Sequence, residues 1–334
     1  MLNIGIIGAG RIGKVHTQSI ANYVRTAKVV AIADPFLPDE TIQWAKNLGI
    51  AKITKDHADI INDPAIDLVL ICSSSDTHSQ ISLEAIAAGK HVFCEKPIDL
   101  DVDRINAVLA ALAAKPALKY TVGFNRRFDH NFRALRKAVE NGKIGKVELV
   151  KVTSRDPAPP SAEYAARSGG IFMDMTIHDF DMVRYLSGEE VESVFVQPAV
   201  LVDPAIGEAG DFDSAVITMK LRSGALAVID NSRRCAYGYD QRAEVFGSLG
   251  AAVSGNDAAS NAQVWSGAGV TGEKPLYFFL ERYMQAFATE VEEFIEAVVN
   301  DTPVPVDAYA GLAAVLIAIA ATKSAKTGLP VVVG

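Results

Sequence analysis

The chain has 334 residues, of which 49% are hydrophobic and 22% are charged, a composition typical of a globular protein long enough for two domains. Its formal net charge is −8, and its longest basic runs are the pairs Arg126-Arg127 and Arg233-Arg234. Such pairs are typical of solvated or ion-paired residues. We expect no nucleic-acid partner, because binding phosphates requires a basic surface. Its three cysteines are widely spaced and indicate neither a disulfide framework nor a zinc site, so we expect free thiols, a cytoplasmic protein and no metal.

The first part of the chain alternates short apolar runs with amphipathic segments. The N-terminus enters the first run at once, without the basic and apolar regions of a signal peptide. Runs of strand length and composition cover Leu2–Ile7, Lys28–Ala33, Leu68–Ile71, His91–Phe93 and Lys119–Val122. Helical spacing covers Ile12–Tyr23, Pro38–Leu48, His78–Ala88 and Val102–Ala114. This alternation predicts an α/β fold, with a doubly wound parallel sheet of the Rossmann type over residues 1–123.

A glycine-rich turn joins the first predicted strand to the first helix. It reads Gly-Ala-Gly-Arg-Ile-Gly at positions 8–13. Gly8 permits a tight turn, Gly10 lets the backbone approach a pyrophosphate, and Gly13 lets helix and strand pack closely. The start of the helix presents free N–H groups to phosphate charge. In this context the turn predicts a dinucleotide site formed by Gly8, Gly10, Arg11, Ile12 and Gly13.

Asp34 ends the second predicted strand, about 20 residues beyond the glycine turn, where a ribose-binding acid is expected. A carboxylate at this point accepts hydrogen bonds from a ribose 2′-hydroxyl and repels a 2′-phosphate. The next residues, 35–38, include no Arg or Lys that could hold such a phosphate. The pattern therefore favours NAD over NADP, although an aspartate at a strand end also occurs as an ordinary turn residue.

Two further strand ends are expected to line the same crevice, because ligands of parallel sheets bind outside the carboxyl ends of the strands. The residues assigned to the cofactor site from these ends are Ser73, Ser74, His78, Glu95 and Lys96. Pro97 forces an extended or turn conformation on the preceding Lys96, and the bond between them can be cis or trans. A surface lysine is the ordinary alternative to a functional one.

The pattern changes after residue 123. A helix over Asp129–Glu140 is followed by a loop over Asp156–Ser161, which is rich in proline, and one more helix over about Asp174–Leu186. Strands are predicted at Lys146–Thr153, Val191–Val200, Phe212–Leu221, Ala225–Asp230 and Arg242–Phe246. They follow one another without long helices, so residues 124–334 predict an α+β domain with a large, mostly antiparallel open sheet.

Two helices close the chain, near Glu281–Asn300 and Ala308–Lys326, and the second either stays with this domain or packs back on the first. Its most apolar part, Ala308–Ala321, is too short and too rich in alanine to span a bilayer, so we expect a buried helix and no membrane partner. An apolar face on the second sheet is suggested by four valines and predicts a homo-oligomer. These residues are Val194, Val196, Val216 and Val228.

A dinucleotide site implies hydride transfer, and oxidation of a secondary alcohol needs a base and a charge that stabilises the developing oxyanion. Asp174 and His178 are four residues apart in a predicted helix, which places them on one face. A carboxylate beside an imidazole orients the ring, and Lys96 supplies a positive charge. The alternatives are a capping aspartate with a core histidine, and Asp181 as the partner of His178.

In combination these residues resemble the Gfo/Idh/MocA family (glucose-fructose oxidoreductase, inositol dehydrogenase and rhizopine catabolism). Glu95-Lys96-Pro97 is similar to its EKP motif, and Asp174 to His178 is similar to its DxxxH motif. The resemblance runs from the glycine turn to the last helix. It implies that Lys96, Asp174 and His178 are the catalytic set. His178 would take the hydroxyl proton, Asp174 would polarise His178, and Lys96 would bridge substrate and nicotinamide ribose.

Four further segments, at 123–129, 154–157, 176–179 and 237–240, look like those of the inositol 2-dehydrogenases in this family. They imply substrate contacts from Asn125, Arg126, Asp156 and Tyr239. Tyr237 is an open alternative to Tyr239, because the two alternate on one predicted strand face.

The activity implied by the resemblance is NAD-dependent oxidation of a cyclic polyol, with myo-inositol as the leading substrate and a homotetramer as the assembly. Scyllo-inositol and glucose are the close rivals, because Ser154 stands where some family members have histidine and Met173 where polar residues also occur. A regulator that binds NAD without turnover is the alternative from another functional class.

Overall fold

The computed structural model describes the backbone of residues 1–334 and all side chains except those of residues 162 and 166. The chain divides into two units, the first made of Met1–Phe128 with Met284–Ala313 and the second of Asp129–Tyr283 with Ala314–Gly334. The boundary expected from sequence at residue 123 differs from this division, because it placed Met284–Ala313 with the second half of the chain.

The first unit is built on a six-stranded parallel sheet in the order β3-β2-β1-β4-β5-β6. The strands are β1 (Leu2–Ile7), β2 (Ala27–Ala33), β3 (Lys52–Thr54), β4 (Leu68–Ile71), β5 (His91–Glu95) and β6 (Tyr120–Gly123). The helices among them are α1 (Arg11–Tyr23), α2 (Asp39–Asn47), α3 (Ala58–Ile61), α4 (His78–Ala87) and α5 (Val102–Ala113). All four residues of β4 are fully buried, which explains its continuous apolar run. The predicted parallel sheet is confirmed, and only β3, three half-buried residues long, was missed.

The second unit contains a seven-stranded sheet in the order β12-β11-β7-β10-β9-β8-β15, in which only β7 and β10 run parallel to each other. Its strands are β7 (Val147–Arg155), β8 (Val191–Ala199), β9 (Ser214–Leu221), β10 (Leu226–Ser232), β11 (Asp240–Gly247), β12 (Gly250–Ser254) and β15 (Val331–Val332), and a separate hairpin contains β13 (Gln263–Ser266) and β14 (Gly269–Gly272). Its helices before residue 284 are α6 (His130–Glu140), α7 (Ala162–Arg167), α8 (Gly170–Asp174), α9 (Ile177–Ser187), α10 (Pro204–Glu208) and α11 (Phe279–Arg282). The prediction of a large, mostly antiparallel sheet is confirmed.

The two faces of this sheet differ in burial. Along β9, Ile217 and Met219 are at most 2% exposed, whereas Val216 is 52% exposed. Val228 is half-buried and, through its pairing with Thr218, lies on the same open face as Val216. Val194 and Val196 are only 1% exposed, so their assignment to an open apolar face was wrong. Burial of alternate residues on β8 and β9 decides the question, because neighbouring strand residues point to opposite faces.

The last two long helices are α12 (Met284–Val299) and α13 (Ala308–Thr327). Val291, Phe294 and Ile295 of α12 are fully buried in the core of the first unit, together with strand residues such as Ile4 and Leu68. This packing explains why α12 groups with residues far away in the sequence. The amphipathic pattern alone shows that a helix has a buried face but does not show which sheet covers it.

Helix α13 is long and apolar enough to cross a membrane, by length and composition alone. However, 56% of its most apolar stretch is buried within the protein, and the core helices of soluble proteins have a similar length and composition. Ala314, Val315 and Ala318 are fully buried. The expectation of a buried helix agrees with this packing.

Candidate active site

The glycine turn lies between β1 and α1. Gly8 has φ 103°, and a Cβ at this position would lie 2.5 Å from the backbone of Cys72. A Cβ at Gly13 would lie 1.9 Å from the carbonyl oxygen of Gly8, so only glycine lets helix and strand approach this closely. A Cβ at Gly10 would meet no atom within 4 Å among the described residues. Gly8 and Gly13 are thus required by the fold, whereas Gly10 leaves the backbone open to a ligand.

Helix α1 begins at Arg11, directly after this turn, and Ile12 is its second residue. Its N-cap residue is Gly10, which has no side chain to cap the N-terminal N–H groups. Such a helix end carries a partial positive charge and favours a phosphate. The arrangement fits the pyrophosphate of a dinucleotide.

Asp34 follows β2 directly. One of its carboxylate oxygens accepts the N–H of Ala9 at 2.7 Å, and the other accepts the N–H of Phe36 at 2.7 Å. The side chain is therefore fixed beside the glycine turn, as a ribose-binding acid must be. A carboxylate has about four acceptor positions, so it can also accept bonds from ribose hydroxyls.

His78 connects the ends of β4 and β5. It is 1% exposed, with Nδ1 2.7 Å from the carbonyl oxygen of Pro97 and Nε2 3.1 Å from that of Ser73. Burial lowers the pKa of His78, but the Cys94 sulfur and these two carbonyl acceptors together raise it to about 9. A doubly protonated ring donates to both carbonyls. His78 therefore holds the backbone of the expected cofactor site, and its ring nitrogens are both committed.

Ser73 and Ser74 lie between β4 and a short 3₁₀ turn over Ser75–Thr77. The hydroxyls of Ser73 and Thr77 are 2.7 Å apart, and the carbonyl of Ser74 accepts the Thr77 hydroxyl at 2.7 Å. These contacts shape the loop at the carboxyl end of β4. The loop occupies the position that the sequence predicts for it at the edge of the sheet.

Glu95 ends β5, and the bond from Lys96 to Pro97 is cis. Glu95 Oε1 lies 2.7 Å from Nε2 of the buried His16, and its other oxygen accepts the Lys96 N–H at 3.3 Å. A Cβ at Gly123 would lie 3.0 Å from the Glu95 carboxylate, so the next strand also confines this side chain. The Glu95 carboxylate thereby fixes the backbone from which the Lys96 side chain extends.

Asn125 and Arg126 lie in a 3₁₀ turn, Asn125–Phe128, after β6. Both are only 4% exposed. They belong to the first unit, as do the glycine turn and Lys96. The other residues predicted to contact substrate, Asp156 and Tyr239, belong to the second unit.

The segment around Asp174 and His178 is not one helix, as the sequence pattern predicted. Helix α8 ends at Asp174, and α9 begins at Ile177, with Met175 and Thr176 between them. The argument from helical i, i+4 spacing was therefore wrong, although both residues are near this break. Asp181, the alternative partner of His178, is fully buried on α9.

The carboxylate of Asp174 is held by side chains from other elements. Its Oδ2 accepts from Nη1 and Nη2 of Arg233 at 3.2 and 3.3 Å. Its Oδ1 accepts from the Tyr164 hydroxyl at 3.0 Å. The Arg233 side chain is 2% exposed and that of Asp174 is 17% exposed, so this ion pair lies in partly desolvated surroundings. In the sequence, the Arg233-Arg234 pair indicated only solvated or ion-paired residues, and nothing marked Tyr164.

A buried polar network lies beside the start of α9. Asn231 on β10 accepts from the Thr176 hydroxyl at 2.6 Å and donates to Asp179 at 2.9 Å. Asn231 also donates to the carbonyl of Ser154 at 3.3 Å, and the Ser154 hydroxyl contacts the side chain of Gln241. No motif in the sequence marked Asn231, because its importance depends on pairing between distant segments.

Tyr237 and Tyr239 precede β11 and do not lie on a strand, so their predicted alternation on one strand face was wrong. The Tyr237 hydroxyl donates to Asp240 at 2.6 Å and accepts from Arg155 at 3.1 Å. Its hydrogen bond to Asp240 raises the pKa of Tyr237 to about 12. Tyr239 is 6% exposed and packs edge-to-face against Phe278 and Tyr283. The hydroxyl of Tyr237 is thus committed within the fold.

Among the residues whose side chains the structure describes, two clusters bring His, Asp and Glu ligand atoms within 4.8 Å of one another. They are His16, Glu95 and Glu290, and Asp129, His130 and Asp257. In the second cluster, Arg282 donates to Asp129 at 3.0 Å and lies 2.8 Å from Asp257, so a guanidinium already balances these carboxylates. In the first, burial and the charge of Glu95 raise the pKa of Glu290 well above its usual value, which favours a neutral carboxyl group. We assign a metal to neither.

Comparison with known proteins agrees with the two-part architecture. Residues 2–124 match the oxidoreductase family with an NAD-binding Rossmann fold, and residues 132–253 match the Gfo/Idh/MocA C-terminal domain. The chain belongs to the Gfo/Idh/MocA family. The prediction made from the EKP and DxxxH motifs is thereby confirmed.

Similar members of the Gfo/Idh/MocA family include a myo-inositol 2-dehydrogenase of Thermotoga maritima, which is 47% identical over 97% of this chain and 96% of its own length. The solved structure of a putative myo-inositol dehydrogenase from Sinorhizobium meliloti is 44% identical, with a TM-score of 0.95 and complete coverage of both chains. A scyllo-inositol dehydrogenase from Lactobacillus casei, solved with NAD(H) and scyllo-inositol, is 32% identical with a TM-score of 0.93 and covers 100% of this chain and 99% of its own.

Proposed function

We propose that this protein oxidises a secondary alcohol of a cyclic polyol, with myo-inositol as the preferred substrate and a keto-inositol and NADH as products. The carbinol carbon loses a hydride to NAD, and the hydroxyl loses a proton. The observation that carries the proposal is the presence of Lys96, Asp174 and His178 in a chain 47% identical, over almost its whole length, to a myo-inositol 2-dehydrogenase.

The residues of the first unit fit NAD. When bound, NAD supplies the nicotinamide ring that accepts the hydride. The start of α1 favours the pyrophosphate, and the fixed carboxylate of Asp34 favours a free ribose 2′-hydroxyl over a 2′-phosphate. The residues proposed to form the cofactor site are Gly8, Gly10, Arg11, Ile12, Gly13, Asp34, Ser73, Ser74, His78, Glu95 and Lys96, with His78 acting through the backbone that it holds.

Three residues are proposed to carry the chemistry. His178 takes the proton of the reacting hydroxyl as a general base. Asp174 stabilises the positive imidazole ring that results. The ammonium group of Lys96 stabilises the negative charge that develops on the substrate oxygen. Tyr164 and Arg233 donate hydrogen bonds to the two carboxylate oxygens of Asp174.

Recognition of the polyol is proposed to involve Asn125, Arg126, Asp156 and Tyr239. A site that pairs particular hydroxyls rejects isomers that lack them, because its buried polar groups are then left unsatisfied. Scyllo-inositol and myo-inositol differ at one hydroxyl, and relatives with either name occur among similar proteins. Ser154, whose hydroxyl is committed to Gln241, is fully buried and therefore affects the site through its packing.

Turnover of a polyol panel tests this function. Myo-inositol, scyllo-inositol and glucose are each offered with NAD and with NADP, and NADH or NADPH formation is followed by absorbance. We expect turnover of myo-inositol with NAD to be fastest. Lys96→Ala and His178→Ala are expected to lower kcat by about 10²- to 10⁴-fold, and the exposed Lys143→Ala to leave it unchanged.

Each outcome of this screen is informative. A faster reaction with scyllo-inositol or glucose would retain the enzyme class and correct the substrate. Binding of NAD without turnover of any polyol in the panel would indicate a regulator that senses the cofactor and not an enzyme. Full activity of both Lys96→Ala and His178→Ala would refute the catalytic assignment.

We also propose that the protein is a homotetramer in the cytoplasm. On the open face of the second sheet, Leu226 is 53% and Phe246 is 44% exposed, and each pairs with Leu149 of β7. Exposed apolar side chains grouped on one sheet face in this way favour association with another subunit. The three free cysteines are compatible with a reducing compartment.

A further inference from the structure

The two arginines of the 233–234 pair lie in different surroundings. Arg233 is 2% exposed, whereas Arg234 is exposed. Both Nη atoms of Arg233 lie within 3.3 Å of Asp174 Oδ2. A buried guanidinium is costly unless a carboxylate balances it, so the burial of Arg233 and the position of Asp174 depend on each other.

Asn231 lies two residues before Arg233, at the end of β10, and is also 2% exposed. Its side chain bonds to Thr176 at 2.6 Å and to Asp179 at 2.9 Å. These two residues stand on either side of His178 in the sequence. Asn231 therefore fixes the start of the helix that carries His178.

The break between α8 and α9 gives these contacts their importance. In a continuous helix, backbone hydrogen bonds would fix the position of Asp174 relative to His178. Here the helix is interrupted at Met175 and Thr176, so the helical backbone alone does not fix that relation. Tyr164 also contacts Asp174, but its side chain is 52% exposed and is a weaker anchor.

We propose that Asn231 and Arg233, at the end of β10, are the positioning residues of the Asp174–His178 pair. Arg233 holds the carboxylate, and Asn231 holds the first turn of α9. This inference rests on the proposed dehydrogenase function. Neither residue needs to touch the substrate, since each acts through a group that it holds in place.

Adjacent arginines provide a matched test. Arg233→Ala is expected to lower kcat for the preferred polyol by about 10²-fold, the size of effect that a displacement of about 1 Å produces, while the dissociation constant of NAD changes less than about twofold. Arg234→Ala is expected to leave both unchanged. Arg233→Lys keeps the charge but loses the planar fork, so an intermediate kcat is expected.

Two readouts separate positioning from a general loss of structure. Guanidinium ions added to Arg233→Ala are expected to restore part of kcat, since they replace the missing group beside Asp174. Substrate deuterated at the reacting carbon is expected to show a larger isotope effect on kcat in Arg233→Ala and Asn231→Ala than in the wild type, because hydride transfer becomes slower. An unfolded variant would show neither response.

Three outcomes overturn the inference or redirect the test. A folded Arg233→Ala enzyme with the kcat of Arg234→Ala overturns it. If Arg233→Ala does not fold, full activity of Arg233→Lys and Asn231→Ala overturns it instead. If the wild type oxidises no polyol, the proposed function fails separately. The His178 ring resonances in NMR spectra then decide, with shifts in Arg233→Ala and Asn231→Ala supporting positioning and unchanged resonances overturning it.

Discussion

Glu290 shows what burial does to one ionisable side chain. Its side chain is 1% exposed, its Oε1 lies 4.0 Å from His16 Nε2, and neither carboxyl oxygen has a hydrogen-bond partner among the described residues. Burial raises its pKa well above the usual value, and the charge of Glu95 raises it further. Burial, and then the charge of Glu95, also raise the pKa of the Cys72 thiol well above its usual value.

This raised pKa makes the stability of the protein depend on pH. The neutral carboxyl of Glu290 contributes its full stability below the unfolded pKa of about 4.3, and that contribution is lost as pH rises through the higher folded pKa. In this range the free energy of unfolding falls by up to about 1.4 kcal/mol per pH unit. Glu290→Gln stays neutral and is expected to lose this dependence, as measured by urea unfolding at pH 5, 6.5 and 8. The exposed Glu292→Gln is the control, and equal slopes for all three proteins would contradict the assignment.

At the scale of elements, the β1–α1 turn separates the needs of the fold from those of the ligand. Gly13 faces the carbonyl oxygen of Gly8, and no substitution can avoid this backbone atom. At Gly10 the backbone has φ −69° and ψ −166°, which any residue can adopt, and an added Cβ meets no described atom within 4 Å. We therefore attribute the glycine at position 10 to the proposed cofactor site, whereas Gly13 is required by packing.

The two glycines should respond differently to alanine. Gly10→Ala is expected to leave the free energy of unfolding within about 0.5 kcal/mol of the wild type and to weaken NAD binding, because its methyl group occupies space beside the pyrophosphate. Gly13→Ala is expected to lower the free energy of unfolding by about 1–3 kcal/mol or more, because the added methyl group overpacks the contact between helix and strand. Denaturant unfolding and calorimetric titration with NAD measure the two effects. Normal NAD affinity of Gly10→Ala would argue against a pyrophosphate at this turn.

The element scale also includes the break before α9. The pattern from Asp174 to Leu186 is helical throughout, and nothing in it marks Met175 and Thr176 as a discontinuity. The Thr176 hydroxyl bonds to Asn231, a residue 55 positions away, and this bond lies at the start of the new helix. A contact over such a distance cannot be inferred from local periodicity.

At the scale of the whole molecule, the open face of the second sheet predicts self-association. We expect a mass of four times the 35.6 kDa chain in sedimentation experiments at micromolar concentration. Leu226→Glu combined with Val216→Glu should reduce this mass, because both substitutions place charge on the same apolar face. Tyr23→Glu, an exposed aromatic position of the first unit, should leave it unchanged. A monomeric wild type would refute the proposed assembly.

The sequence alone determined the parallel sheet, the dinucleotide turn and the family, because these features leave local signals. Strands buried on both faces are continuous apolar runs, and the glycine spacing reflects contacts within a few residues of the turn. Only the tertiary structure decided that α12 belongs to the first unit, that Val194 faces the core and that Arg233 is buried while Arg234 is exposed. In each case, the deciding partner is far away in the sequence. Periodicity shows that a residue has a buried side, but only folding brings together the groups that cover it.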